Sequence, residues 1–142
     1  MPYSPLLVRP LKEELTKVGF RDLQTAAEVD AAMKEAASGL TLVVVNAADG
    51  EAARVARPAA RKIVENASPR FDLLLTVFAG HDEEATAQML VGYTDDILKE
   101  GPAFAVFKDG ELLYAMPRYY MSDRSAEWAV TEVTERLQKA LG

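Results

Sequence analysis

Residues 40–46 form an uninterrupted run of apolar and β-branched side chains that ends in an asparagine. A run without polar alternation is typical of a central strand that is covered on both faces. A second run of this kind spans residues 73–79, and the alanine-rich segment 52–66 between them has helical periodicity. This pattern predicts an α/β fold around a buried sheet.

Helix signals before the first strand run come from spacing and from capping residues. Leucines recur at helical spacing in segment 7–18, and Pro10 is acceptable only in a first turn, so we expect this helix to begin near Val8 or Arg9. Thr25 and Glu28 have the spacing of a capping box, which predicts a second helix that Gly39 ends. Segment 1–39 is therefore predicted to be a helical extension.

The remaining elements complete a β-α-β-α-β-β-α core over residues 40–142. Pro58 should kink the helix over 52–66, because proline lacks an N–H and clashes with the preceding turn. Asp109-Gly110 between two apolar runs is a hairpin signal, and a last helix should begin near Ser122 or Asp123. No linker or repeat interrupts residues 1–142, which indicates a single domain.

Composition excludes some classes of function. The chain of 142 residues has 22 acidic and 16 basic residues and a net charge of −6, which argues against binding to nucleic acid or to an anionic membrane. No apolar stretch approaches the ~20 residues of a membrane helix, and the first residues do not resemble a signal peptide. We expect a cytoplasmic protein.

Several segments resemble the bacilliredoxin family, which comprises bacterial proteins of the thioredoxin fold. The similar segments are Leu-Val-Val-Val-Asn at 42–46, Ala-Arg-Pro-Ala-Ala at 56–60, Thr-Val-Phe-Ala-Gly at 76–80 and Glu-Ala-Thr-Ala at 84–87, with Gly101-Pro102 and Pro117-Arg118 further along. The resemblance implies a thioredoxin-like fold with additional N-terminal helices. It also implies descent from proteins that are thought to remove bacillithiol from mixed disulfides.

The working motif of that family, Cys-Gly-Cys, falls on Asp49-Gly50-Glu51, and the chain has no cysteine. Thiol–disulfide exchange needs a thiolate nucleophile, which a carboxylate cannot replace. We therefore predict no catalytic residue and no thiol–disulfide activity. At the amino end of a helix, Asp49 and Glu51 are expected to act as caps that gain roughly 0.3–1 kcal/mol each from the helix dipole.

A binding role at the same place is the leading functional hypothesis. The resemblance implies a groove around the motif, to which we assign Asn46, Arg57, Pro102 and Arg118, with a cis peptide bond before Pro102. The expected ligand is a protein, a peptide or a low-molecular-weight thiol. An alternative is a non-redox enzyme that uses the carboxylates of Asp49 and Glu51.

Three other features have both a functional and an ordinary interpretation. His81 and Asp82 could join the motif carboxylates in a metal site, but a solvated loop fits them better, and we predict neither a metal nor another cofactor. Arg54, Arg57 and Arg61 recur on one helix face, where they could bind an anion or form a solvated row. Trp128 lies off the apolar stripe of the last helix, which suggests either a contact surface, such as that of a homodimer or regulatory partner, or packing against the front helices.

Overall fold

The structure is a computed structural model that describes residues 3–66 and 70–142. The α-helices of these residues are α1 (Pro5–Thr16), α2 (Ala26–Glu35), α3 (Arg57–Glu65), α4 (Glu83–Gly92) and α5 (Ala126–Leu141). The strands are β1 (Arg21–Asp22), β2 (Leu40–Asn46), β3 (Leu73–Phe78), β4 (Ala103–Lys108) and β5 (Glu111–Met116). A π-helical segment, Ala52–Ala56, runs directly into α3, and a 3₁₀ turn, Arg118–Tyr120, follows β5.

The strands form one mixed sheet in the order β1-β3-β2-β4-β5. Strand β2 pairs in parallel with β3 on one side and antiparallel with β4 on the other, and each of its residues is buried. This confirms the central strand that the apolar run predicted. Because β4 is antiparallel, it begins at the edge where β2 ends, with Ala103 opposite Val45. The loop after β2 and the residues before β4 therefore meet.

Helices cover both faces of the sheet, and alternate residues of β2 belong to two separate apolar clusters. Leu42 and Val44 contact the cluster that includes residues of α1, α3 and α5. Val43 and Val45 contact the cluster that includes residues of α2 and α4. None of the helices within residues 3–66 and 70–142 combines the length and the apolar character that crossing a membrane requires.

The N-terminal part differs from the prediction in two respects. Segment 1–39 is not wholly helical, because Arg21 and Asp22 pair in parallel with Leu75 and Thr76 as strand β1. A strand of two residues is too short to show periodicity. Helix α1 begins earlier than expected, at Pro5, and contains Pro10 in its interior. The Ser4 hydroxyl caps it by accepting a hydrogen bond from the Leu6 amide, and burial of its inner face offsets the bond that Pro10 removes.

Two later helices also depart from simple periodicity. The kink predicted at Pro58 stays a prediction, but the stretch is not one regular helix: in the π-helical segment the Arg57 amide donates to the Ala52 carbonyl five residues earlier, and Pro58 lies in the first turn of α3. Helix α5 begins at Ala126, later than predicted, since Asp123 has a left-handed backbone with φ of 58°. Ser125 is its cap and accepts a hydrogen bond of 3.0 Å from the Trp128 amide.

Candidate functional site

The candidate site lies at the junction where β2 ends and the helical stretch from Gly50 to α3 begins. Asp49 precedes this stretch, and its Oδ1 accepts a hydrogen bond of 3.1 Å from the Ala52 amide. The Asp49 carbonyl also accepts from the Ala53 amide at 3.1 Å. A short acidic side chain that pairs with an otherwise unpaired N–H of the first turn is the geometry of an N-cap. The predicted capping role of Asp49 is confirmed.

Glu51 does not act as a cap, so this part of the prediction is wrong. Its Oε2 accepts from Arg54 Nη2 at 2.9 Å, and no capping hydrogen bond involves its side chain. The reason is position, because Glu51 already lies inside the first turn and its longer side chain reaches outward. Arg54 in turn donates to the carbonyl of Arg124 at 2.7 Å, which connects the junction to the residues before α5.

Arg118 joins three segments that are distant in sequence. Its Nη1 donates to Asp49 Oδ2 and, at 2.9 Å, to the carbonyl of Gly101. The hydrogen bond to Asp49 raises the pKa of the Arg118 guanidinium, which outweighs the opposing effect of burial. The loop after β2, the residues before β4 and the residues after β5 are thus held together by one cation.

The Gly101–Pro102 peptide bond is cis, as predicted, and both residues are buried. Gly101 lies close to the end of β2. A Cβ atom at this position would be 2.8 Å from Val45 Cγ1 and 3.3 Å from the carbonyl oxygen of Asn46. The close approach of the two segments therefore requires glycine. By contrast, a Cβ atom on Gly50 would have no neighbour within 4 Å, so the middle of the motif faces open space.

Asn46 and Arg57 were predicted to line the groove, and the structure places both beneath the junction loop. Their side chains are buried, and Arg57 Nη1 donates to Asn46 Oδ1 at 3.1 Å and to the Ala47 carbonyl at 2.6 Å. Arg57 Nε donates to Glu14 Oε2 at 3.2 Å, and Arg61 binds the other oxygen of Glu14 at 2.7 Å. The hydrogen bonds of Arg57 to Asn46 and Ala47 hold the loop after β2 in place. The sequence did not identify Glu14 as the partner of the two arginines, because an acidic residue on a helix has no feature that marks such a contact.

A groove of about 440 Å³ opens beside Asp49 and Gly101. Its apolar wall comes from small or aliphatic residues after β2, after β3 and on α4, together with an aromatic ring from the N-terminal segment: Ala47, Ala79, Ala87, Leu90 and Tyr3. Its charged lining consists of Asp49, Glu83, Lys99 and Glu100. The groove therefore combines an apolar wall with charged side chains of both signs.

His81 and Asp82 are directed away from the motif carboxylates. The Nδ1 atom of His81 is 3.0 Å from the carbonyl oxygen of Tyr3, and Asp82 Oδ2 is 2.6 Å from Lys12 Nζ. Lys12 also contacts Asp22 at 2.9 Å; burial lowers its pKa, but the hydrogen bonds to the two carboxylates raise it overall. Within residues 3–66 and 70–142, no three His, Asp or Glu side chains are grouped as metal ligands.

The arginine row and Trp128 have structural partners. Arg54, Arg57 and Arg61 do not form one solvated face, because Arg57 is buried while the other two reach different carboxylates. Trp128 is half-buried against the cluster that includes residues of α1, α3 and α5. The Arg124 guanidinium lies over its ring, 4.3 Å from the ring centre.

Known proteins resemble this chain over nearly its full length. The family model described as "Disulphide isomerase" matches residues 3–141. The bacilliredoxin of Salinibacter ruber is 37% identical over 142 residues, which are 100% of this chain and 83% of that protein. The bacilliredoxin of Geobacillus kaustophilus is 38% identical and the alignment covers 99% of this chain and 95% of that protein. The bacilliredoxin of Cytophaga hutchinsonii is 40% identical, and the alignment covers 92% of this chain and 94% of that protein.

Solved structures agree with the predicted fold. Oxidised thioredoxin from Plasmodium falciparum superposes with a TM-score of 0.53 at 15% identity, over 82% of this chain and 99% of that one. The J-Trx1 fragment of ERdj5 superposes with a TM-score of 0.54 at 18% identity, over 99% of this chain and 58% of that one. These similarities confirm a thioredoxin-like fold. The family model and the full-length relatives establish that the chain, although it has no cysteine, is a member of the bacilliredoxin family.

Proposed function

We propose that this chain is a non-catalytic member of the bacilliredoxin family that binds an extended segment of another protein in the groove beside Asp49 and Gly101. The observation that carries the proposal is the pair of hydrogen bonds that the Asp49 carboxylate accepts. Its two carboxylate oxygens contact the Ala52 amide and the Arg118 guanidinium. The first position of the redox motif is thus occupied by a side chain that caps the helix and has no sulfur to exchange.

The same geometry disfavours the alternative of a carboxylate-dependent enzyme. A general base needs a carboxylate whose charge is not already stabilised by a cation. Asp49 is paired with Arg118, and Glu51 is paired with Arg54. Neither carboxylate is presented as a reactive group, whereas the adjoining groove has the mixed apolar and polar lining that is usual in binding sites.

The groove favours a peptide over a small anionic thiol. Of its four charged residues, Asp49, Glu83 and Glu100 are acidic and only Lys99 is basic. A ligand rich in carboxylates would meet like charges there, while a peptide can place apolar side chains against Ala79 and Leu90. Low-molecular-weight thiols remain an outcome that the experiment distinguishes.

The first arm of the test measures chemistry. Purified protein is incubated with a protein that carries bacillithiol in a mixed disulfide, and release of the thiol is followed by mass spectrometry. We expect no turnover, because exchange requires a thiolate. Turnover by a preparation free of other thiols would contradict the proposal.

The second arm measures binding. A displayed library of random peptides is selected on the wild-type chain, and the enriched peptides are titrated against Gly50→Trp, which fills the open space at the motif. Lys139→Trp, an equally bulky change at an exposed position in the last turn of α5, is the matched control. We expect Gly50→Trp to abolish binding and Lys139→Trp to preserve it. Enrichment of no peptide, equal binding by both variants, or competition only by bacillithiol would contradict the proposal.

A further inference from the structure

A second groove, of about 280 Å³, is lined by Arg118 and adjoins the first at Lys99 and Glu100. Ile97, Pro117 and Tyr119 contribute its apolar surface. Ile97 is 50% exposed and Tyr119 is 71% exposed, so two large apolar side chains border a concave surface in contact with water. Burying such side chains in a complex is favourable by ~25 cal/mol per Å² of apolar area. The groove therefore offers an apolar contact next to a cation.

Arg118 lines this groove with part of its guanidinium unused. Both of its hydrogen bonds, to Asp49 and to the Gly101 carbonyl, are made by Nη1. Its Nε and Nη2 atoms have no hydrogen-bond partner in the described ranges 3–66 and 70–142. The Nε–Nη2 edge of a guanidinium carries two parallel N–H groups whose spacing matches the two oxygens of a carboxylate. Asp49 does not occupy this edge.

Lys99 supplies a second positive charge to the same groove. Its backbone is left-handed, with φ of 66°, and none of the ion pairs among the described residues involves its ammonium. Lysine and arginine together attract an anion, and the hydroxyl of Ser122 lies in the same lining. Glu100 is the acidic residue in the lining of this groove, and Asp49 and Glu51 add negative charge near Arg118.

We propose that this second groove binds the C-terminal carboxylate of a peptide whose last side chain is apolar. The carboxylate contacts the Nε–Nη2 edge of Arg118 with Lys99 beside it, and the side chain lies against Ile97 and Tyr119. The two grooves share Lys99 and Glu100, but the apolar residues of this one come from the loop after α4 and from the turn after β5. The like charge of Glu100 keeps the affinity low.

The experiment uses the full chain, labelled with ¹⁵N, and follows its backbone amide resonances in solution. The probes are N-acetyl-leucine and N-acetyl-leucinamide, which differ only in the terminal carboxylate. We expect the acid to shift resonances of residues 97, 98 and 118–122, which line or flank only this groove, in a saturable way, and the amide to leave them unchanged. Equal shifts by both probes, or none by either, would overturn the proposal. Shifts confined to residues 79–90 and 99–101 would place the probe in the first groove and would also overturn the proposal.

A longer probe distinguishes a peptide terminus from a small carboxylate. N-acetyl-alanyl-leucine adds one peptide unit behind the same terminal residue. Tighter binding of this dipeptide than of N-acetyl-leucine supports a peptide as the ligand. Equal affinity would overturn that assignment and identify a small carboxylate as the occupant.

Charge variants test the site without disturbing the contacts of Arg118 to Asp49 and Gly101. Because Lys99 and Glu100 line both grooves, binding is measured from the resonances of residues 118–122. Lys99→Gln should weaken binding of N-acetyl-leucine roughly two- to fivefold, and Glu100→Gln should strengthen it by a similar factor, as expected for partly exposed charges. Lys108→Gln, at the far end of β4, is the matched control and should bind like the wild type. The opposite order for Lys99→Gln and Glu100→Gln would overturn the role of the groove in anion binding.

Discussion

The carboxylate of Asp49 and the guanidinium of Arg118 are 69 residues apart in the sequence and form an ion pair at the edge of the sheet where β2 ends. The same carboxylate accepts a hydrogen bond from the Ala52 amide at the start of the helix. An anion at this position is therefore held by two independent donors, one from the backbone and one from a side chain. That arrangement stabilises any negative group that replaces the carboxylate.

A cysteine at position 49 should for this reason have an acidic thiol. In Asp49→Cys we expect the thiol pKa to lie below that of an ordinary cysteine, and to rise by roughly one pH unit when Arg118→Gln is added. The measurement is the rate of alkylation by iodoacetamide as a function of pH. Ser125→Cys, at the cap of α5, is the matched control for the effect of a helix end alone. The same thiol pKa with and without Arg118 would show that the arginine does not stabilise the anion.

The two glycines of the site should respond to alanine in opposite ways. Gly50→Ala should stabilise the fold by roughly 0.5 kcal/mol, since the added methyl group has open space and alanine restricts the unfolded chain. Gly101→Ala should destabilise it by about 1–3 kcal/mol, because its Cβ would lie 2.8 Å from Val45 Cγ1. Urea unfolding of both variants measures the difference. A destabilised Gly50→Ala would contradict the open surroundings of that residue.

Arg57 should contribute more to stability than Arg61, although both bind Glu14. Arg57→Met leaves the Ala47 carbonyl without its hydrogen bond from Nη1, and we expect a loss of roughly 2–4 kcal/mol. Arg61 is 32% exposed, so Arg61→Met should cost less than about 1 kcal/mol. The free energies of unfolding from denaturant titrations test this order. Equal losses would show that the buried contacts of Arg57 add nothing.

The Tyr93–Asp30 hydrogen bond of 2.6 Å should make stability depend on pH in the alkaline range. This bond raises the pKa of Tyr93 from 10.0 to about 12. A raised pKa means that the folded state retains the proton, so the stabilisation is complete below pH 10 and is lost as the pH rises through about 12. Tyr93→Phe lacks the bond, and its deficit in unfolding free energy should shrink across that window. A constant deficit would show that Tyr93 does not titrate as expected.

At the acidic end, the same bond acts on its other partner. The hydrogen bond from Tyr93, followed by that from Gln88, lowers the pKa of Asp30 below 3.8. A lowered pKa contributes stability that is present above pH 3.8 and is lost as the pH falls through the folded-state value. The deficit of Tyr93→Phe should therefore also shrink on acidification.

The strands could be predicted from sequence where a local pattern was sufficient. Strand β2 has the predicted bounds, and the hairpin turns at the predicted Asp109-Gly110, because an apolar run and an Asp-Gly turn are short-range signals. Asp109 and Gly110 indeed both have positive φ, at 50° and 86°. Strand β1 has two residues and depends on its partner β3, so nothing within its own sequence could reveal it.

The site was predictable in part for the same reason. The cap at Asp49 depends on three neighbouring residues, and it was expected from position alone. The resemblance placed Arg118 near the motif, but its contact with Asp49 depends on how β5 packs in the sheet. Arg57 is buried because its side of the helix faces the interior of the protein. The helical spacing of the three arginines does not reveal which side of the helix faces inward.

A junction that holds carboxylates and no thiol has one covalent state under oxidising and reducing conditions alike. Peroxide, or a change in the ratio of oxidised to reduced thiols, can oxidise a dithiol to a disulfide, but it leaves Asp49 and Glu51 unchanged. Methionine is the other side chain that oxidises readily, and the four methionines in the described part of the chain are at most 7% exposed. The surface around Asp49 consequently keeps its charge under oxidising conditions, whereas a pair of thiols at the same positions would not.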